Sequence, residues 1–150
     1  MLAEFIAAIA NEGITIEYYD CSDNHSRIEP KLKDSLELES MTRIISWYLD
    51  LRFKGAKNIY INTKNKYGDD ILTFTCKGHS IAGVHGDKDL QSSVISSLQA
   101  FTHKQFDLIL TAHLHHISAD ESTRTRLIAN GSLMGTDYYS ASLRKDSMPS

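Results

Sequence analysis

The chain has 150 residues, 41% of them hydrophobic and 23% charged, with a net charge of −3. This is the balance of a soluble globular protein of one-domain size, so a single domain over 1–150 is expected, and a broad basic surface for nucleic acid is excluded. No stretch approaches the ~18 consecutive apolar residues of a membrane span. Met1 to Ala10 lacks the basic start and cleavage site of a signal peptide, and Cys21 and Cys76 make no disulfide framework, so a reducing, cytoplasmic setting is expected.

Leu2, Phe5, Ile6 and Ile9 recur at helical spacing, which predicts a helix over Met1 to Asn11 with Gly13 just past its end. Ile14 to Tyr19 is rich in β-formers and predicts a strand, so the chain opens on half of a βαβ unit. The strand runs into Asp20-Cys21-Ser22-Asp23-Asn24-His25-Ser26-Arg27, a loop dense in groups that bind metals or phosphates; its simpler alternative is a polar turn. Pro30 breaks the backbone, and mixed charge follows over Leu32 to Leu38.

Leu38, Met41, Ile44, Ile45, Tyr48 and Leu49 mark a long amphipathic helix from about Leu36 to Phe53. Trp47 and Tyr48 on it read as core or subunit-contact aromatics rather than a substrate platform. Arg52, Lys54, Lys57, Lys64 and Lys66 form a loosely basic stretch, either a solvated face or a contact to a DNA backbone. Asn58 to Thr63 and Asp70 to Cys76 read as a pair of strands joined by the Asn65–Asp69 turn. A third strand, Ser80 to Val84, ends at Val84-His85-Gly86-Asp87, with Asp87 expected to cap a helix over Lys88 to Phe101 whose stripe is Leu90, Val94, Ile95 and Leu98. His79 and His103 read as surface or packing histidines.

Phe106 to Leu110 is an apolar run that predicts a buried strand, and it leads into Thr111-Ala112-His113-Leu114-His115-His116. In an extended segment His113 and His115 would point to the same side, delivered from a strand end, where an α/β sheet keeps its site. Neutral imidazole is the commonest protein ligand for transition metals, which makes metal binding one reading of this stretch and a polar strand exit the other. A short strand over Arg126 to Ala129 leads into Asn130 to Asp137, and Ser140 to Ser150 is polar without a clear element. No internal repeat or low-complexity tract is present.

Asp23-Asn24-His25, Val84-His85-Gly86-Asp87 and Ala112-His113-Leu114-His115 stand in one order. That order resembles the later motifs of the calcineurin-like metallophosphoesterases: Gly-Asn-His-Asp/Glu, a lone His after a strand, and Gly-His-x-His. The Asn-His-Ser-Arg, His-Gly-Asp-Lys, His-Leu-His-His and Asn-Gly-Ser-Leu runs look most like phage-encoded members related to DNA-repair nucleases of the Mre11/SbcD type. The resemblance implies an α/β layered sandwich. It also implies phosphoester hydrolysis at a dinuclear centre of two divalent ions of the Mn, Fe, Zn or Ni type. Asn24, His85 and His113 match ligands of one ion and His115 a ligand of the other. His25 matches the catalytic histidine that assists the leaving group, and Arg27 could add charge at the scissile phosphate. His116 has no matching role.

Asp23 and Ser26 stand where Gly and an acidic residue are usual, and Ala112 replaces the Gly before the paired histidines. The family's opening Asp-x-His and Gly-Asp-x-x-Asp motifs, which carry the bridging carboxylate, have no counterpart before Asn24. The sandwich is therefore expected to lack the N-terminal strands that carry those motifs, and the centre to be incomplete in this chain. The resulting open sheet edge predicts pairing with a second copy or with a complementing N-terminal piece. A phosphodiesterase acting on DNA leads the functional readings. The others are a phosphatase on a small phosphoester or phosphoprotein, and a non-catalytic module that binds a metal or a partner.

Overall fold

The computed structural model describes all residues except 30, 37, 38, 123, 134, 137 and 143–150, and the backbone alone at 32, 139 and 140. Pro30, Leu38 and the tail beyond 142 therefore lie outside the described residues. The chain folds as two compact units, 1–72 and 73–150. Among the described residues no helix is long and apolar enough to cross a membrane.

The first unit is built on helix α1 (Leu2–Asn11), strand β1 (Ile16–Tyr18), a 3-10 turn (Leu32–Asp34), helix α2 (Thr42–Arg52) and strand β2 (Ile59–Ile61). Ala3, Ile6 and Ala10 of α1 are buried with Leu49 of α2, Phe53 and Ile59, and Ile16, Tyr18 and Ile61 pack against them. The 3.6-residue period of α1 and the two-residue period of the strands thus converge on one small core. Asn58 ties the unit together: its side-chain amide donates to the carbonyls of Ala10, at 2.9 Å, and Ile14, at 3.0 Å.

Two expectations fail in this unit. β2 pairs in parallel with β1, in register Ile16↔Ile59 and Tyr18↔Ile61, rather than forming a hairpin with the next strand. The α2 crossover brings it there, so β1, α2 and β2 form a complete βαβ unit. Helix α2 also starts six residues later than the apolar spacing suggests. Ser40 is drawn into a bridge with Arg27, its Oγ accepts from the Thr42 N–H at 3.3 Å, and the helix begins only beyond it. The buried positions of α2 are Ser46 and Leu49, whereas Met41, Ile44, Ile45, Trp47 and Tyr48 are exposed. Trp47 and Tyr48 are therefore not core residues. Arg52, Lys54, Lys57, Lys64 and Lys66 are all exposed, as a solvated face requires.

A five-stranded mixed sheet in the order β3-β4-β5-β7-β6 makes up the second unit, only the first two residues of β3, Ile71 and Leu72, falling in the first. Its strands are β3 (Ile71–Cys76), β4 (His79–Val84), β5 (Leu108–Thr111), β6 (Ser118–Ser122) and β7 (Thr125–Ala129). Helix α3 (Val94–Thr102) connects β4 to β5, and α4 (Tyr138–Ser142) follows the sheet. β3 and β4 are joined by Lys77 and Gly78, with φ of 50° and 86°. Two consecutive positive φ values define the tight turn whose twist matches antiparallel strands, and glycine takes one of them without strain. β4 pairs in parallel with β5, β5 in parallel with β7, and β6 antiparallel with β7.

Ala82, Ile109, Leu127 and Ala129 from the three central strands are essentially fully buried, with Val94 and Leu98 from α3 and with Phe106. Helix α3 starts at Val94 rather than Lys88: Leu90 is exposed, Ser93 occupies the cap position, and Asp87 stays in the loop after β4. Both free cysteines keep clear of any disulfide, Cys21 half-buried and Cys76 exposed.

Candidate functional site

Three adjacent parallel strands, β4, β5 and β7, present their carboxyl ends along one edge of the second unit's sheet. Open α/β sheets bind ligands at such an edge, because the loops there can vary without disturbing the sheet. β4 delivers His85-Gly86, β5 delivers Ala112-His113, and β7 delivers Asn130. Backbone bonds hold these exits side by side: Ala112 N–H donates to the His85 carbonyl at 3.0 Å, and Asn130 N–H to the Thr111 carbonyl at 2.8 Å.

His85 and His113 meet at this edge. His113 Nδ1 lies 3.2 Å from His85 Nε2, the ring centroids are 5.0 Å apart, and the planes cross at 72°. Both rings are half-buried. The loop geometry behind the contact is specific. Leu114 N–H bonds back to the Ala112 carbonyl at 2.7 Å, closing a three-residue turn centred on His113, whose φ is 62°. A non-glycine residue in the left-handed region carries strain, a state that clusters at functional sites. Gly86, with φ 102°, turns the opposite loop without that penalty, and a side-chain carbon there would reach only ordinary contact with Thr111, Ala112 and His113.

The expectation that His113 and His115 share one side rested on extended backbone, and the backbone is not extended. β5 ends at Thr111, and φ is 62° at His113 and 58° at His115. Two left-handed residues destroy the alternation. His115 is exposed, and His116 is exposed with its Nδ1 3.1 Å from the Leu114 carbonyl. The structure thus brings His113 together with His85, 28 residues earlier.

The Asn24 loop belongs to the first unit and is built by Asp23. Its Oδ1 accepts from the backbone N–H of His25 at 2.6 Å and of Ser26 at 2.7 Å, folding residues 23–26 into an aspartate-closed turn. Ser26 Oγ lies 2.8 Å from Ser40 Oγ, and its carbonyl accepts from Met41 N–H at 2.8 Å. The residues that stand in place of the family's Gly and acid therefore fold and anchor the loop. They leave His25 exposed and Asn24 and Arg27 half-buried. Asn24, His25 and Arg27 share this loop in the first unit, whereas His85, His113 and His115 belong to the second.

The chemistry of the pair suits a metal. Two imidazole nitrogens bound to one tetrahedral ion at about 2.0–2.1 Å would stand about 3.3 Å apart, close to the separation seen between His85 and His113. Among the described residues no three His, Cys, Asp or Glu side chains gather in a cluster fit for a metal. Asn24, as an amide, lies outside that set of residue types.

Sequence reading passed over a second polar feature, in the first unit. A cleft of about 350 Å³ opens beyond the carboxyl ends of β1 and β2, lined by Asp20, Arg43, Ser46, Trp47, Lys64 and Asp69 among others. Ser46 Oγ donates to Asp20 Oδ2, Tyr18 hydrogen-bonds the same carboxylate, and Asn65 donates to the Asp20 carbonyl at 2.8 Å. Burial pushes the Asp20 carboxyl above its ordinary range and nearby Asp69 adds to this, while the Ser46 and Tyr18 hydrogen bonds pull the other way. Burial, reinforced by the charge of Asp20, likewise raises the Tyr18 hydroxyl. The sequence signal was the position of Asp20 immediately beyond a strand's carboxyl end.

No family model matches the chain, and no curated protein matches it. Solved structures do. A conserved uncharacterized protein of Streptococcus pneumoniae matches at 16% identity and a TM-score of 0.38, over 61% of this chain and 66% of that one. One neighbour is therefore a predicted phosphoesterase, as that protein is described. Vacuolar protein sorting 29 of Cryptosporidium parvum matches at 17% identity and a TM-score of 0.42, over 63% of this chain and 56% of that one. A Thermotoga maritima protein solved by NMR matches at 19% identity and a TM-score of 0.44, over 61% of this chain and 60% of that one. The chain spans less than two thirds of each.

Proposed function

We propose that the chain serves a metal-dependent phosphoester hydrolase, a phosphodiesterase with a nucleic-acid diester as substrate. The observation that supports this most is the His85–His113 pair, two imidazole nitrogens 3.2 Å apart at the carboxyl edge of adjacent parallel strands. On this reading Asn24, His85 and His113 hold one divalent ion and His115 the other, as the motif resemblance implies. Bound ions of the Mn, Fe, Zn or Ni type would supply a clamp for the phosphate and an activated water. His25 is exposed in its turn, free to approach substrate and give a proton or hydrogen bond to the departing oxygen. Arg27, two residues on, supplies positive charge toward the phosphate. The bridging carboxylate of the family's first motifs would come from a second copy of the chain or from a complementing N-terminal piece.

The test is hydrolysis of bis-p-nitrophenyl phosphate with added manganese, by the native chain and by His113→Ala. Metal-dependent turnover that falls by about 100-fold or more in the variant is the expected result. Turnover that ignores His113 would remove the pair from the chemistry. A second reading, metal binding without turnover, is favoured by the pair itself, two imidazole nitrogens 3.2 Å apart that need no further residue to meet. It predicts calorimetric zinc binding that His113→Ala abolishes, alongside no hydrolysis. Single-stranded DNA against an aryl monophosphate then separates the nuclease from the phosphatase.

A further inference from the structure

Helix α2 carries more apolar side chains away from its core than toward it. Ser46, Leu49 and then Phe53 are buried, whereas Met41, Ile44, Ile45, Trp47, Tyr48 and Leu51 are between 45% and 61% exposed. Met41 belongs to this set because its φ of −64° and ψ of −22° extend the helical backbone by one residue. At about 100° per residue the six fall on one arc of about 160°, opposite the buried residues. The outward arc of a surface helix is ordinarily polar, and a contiguous apolar patch of this kind marks a site of contact.

The spacing on that arc points to the partner. Met41, Ile44, Tyr48 and Leu51 recur at intervals of three, four and three, the seam of helices that pack with knobs into holes. This series of intervals is the same in both directions. A second α2 lying antiparallel therefore sets Met41 against Leu51 of the second copy, and Ile44 against Tyr48 of the second copy. A surface that matches itself on reversal is what a two-fold dimer requires. Charge agrees with this direction. The antiparallel register carries Arg52 and Lys54, at the carboxyl end of one helix, to the amino end of the other, where Glu39 stands. A parallel pair would set Arg52 beside Arg52. Area agrees as well: six large side chains about half exposed offer roughly 600 Å² per copy, and roughly 1,200 Å² for the pair, the lower limit of a stable interface.

We infer that the exposed face of α2 is the interface of a homodimer, in which two copies of the helix pack antiparallel about a two-fold axis. Trp47 and Tyr48 are then subunit-contact aromatics, the alternative that their spacing left open beside a core role. Helices meet at this interface, so it is separate from any pairing at an open sheet edge. An interface of this size predicts a dissociation constant of about 1–100 μM, with dimers that come apart on dilution. The inference stands apart from the hydrolase reading, because none of these residues belongs to the histidine edge or to the Asn24 loop.

Sedimentation velocity of the full chain in EDTA, from about 1 to about 300 μM, is the test. A monomer–dimer equilibrium is expected, with the emission of Trp47, the single tryptophan, moving to the blue as the dimer forms. Ile44→Glu should weaken the dimer by about 30-fold or more. That position is 51% exposed and glutamate is a good helix former, so circular dichroism should show the fold retained. Should Ile44→Glu unfold the chain, Leu51→Ser takes its place and should weaken the dimer in the same direction. Leu90→Glu, the same charge on a 75% exposed leucine of the second unit, should leave the dimer unchanged. Arg52→Glu should weaken it severalfold, and adding Glu39→Lys to that variant should restore it. A monomer at every concentration would mean that something other than a second copy covers the face, and would overturn the inference. An oligomer larger than a dimer, a dimer indifferent to both Ile44→Glu and Leu51→Ser, or equal loss in Leu90→Glu would overturn it too. Failure of the double charge reversal to restore the dimer would overturn the antiparallel arrangement.

Discussion

Asp20 shows how one side chain can link this fold to pH. Burial, with help from Asp69, raises its carboxyl above the ordinary value of 3.8. The folded chain then binds a proton at Asp20 more tightly than the unfolded chain does. Its contribution to stability is therefore most favourable below the ordinary value and is lost as pH rises through that value to the raised one. Urea unfolding of the native chain and of Asp20→Asn between about pH 3.5 and pH 7 tests this. The stability of the native chain relative to the variant should decline across that range; a flat difference would mean that Asp20 titrates normally. Residue chemistry of this kind was only half legible. The order of the motifs already grouped His85 with His113, which meet at 3.2 Å, but the expected alignment of His113 with His115 failed because two left-handed residues overrode the strand alternation. The ion pair of Arg43 with Asp69 could not be found from sequence, since it depends on how the fold brings the two together.

Elements whose apolar residues face a core were readable, and those governed by long-range pairing or by exposure were not. Phe106 to Leu110 was legible as a strand because Phe106 and Ile109 are completely buried, and α1 was legible by its period. β6 was missed because four of its five residues are exposed, which leaves an edge strand no apolar signature. The pairing of β2 was misjudged because a glycine turn follows it, whereas its true partner lies across the α2 crossover. The β3–β4 hairpin offers a direct check on element geometry. Lys77 and Gly78 both take positive φ, so Gly78→Ala should cost about 1–2 kcal/mol, while Lys77→Asn should be neutral or mildly stabilising. Denaturant unfolding of the two variants measures both; a tolerated alanine at 78 would contradict the left-handed turn.

At the scale of the whole chain, charge sets what kind of nucleic-acid contact is available. Sixteen Lys and Arg stand against nineteen Asp and Glu, so the molecule has no net field to draw in a polyanion. Contact with a diester strand must then rest on a few local cations such as Arg27, Arg43 and Lys64, each set among carboxylates or in a loop. Affinity that depends on released counterions falls with salt in proportion to the phosphates neutralised, with a slope of about −0.7 per phosphate for single strands. Two or three such contacts predict a slope of log K against log salt of about −1.4 to −2.1. Anisotropy of a labelled single-stranded oligonucleotide over a salt series measures it. A slope steeper than about −4 would require a basic track that the composition does not provide, and would shift the site of nucleic-acid contact to the exposed Arg52–Lys66 stretch. A shallow slope would place recognition in stacking and hydrogen bonding rather than in charge.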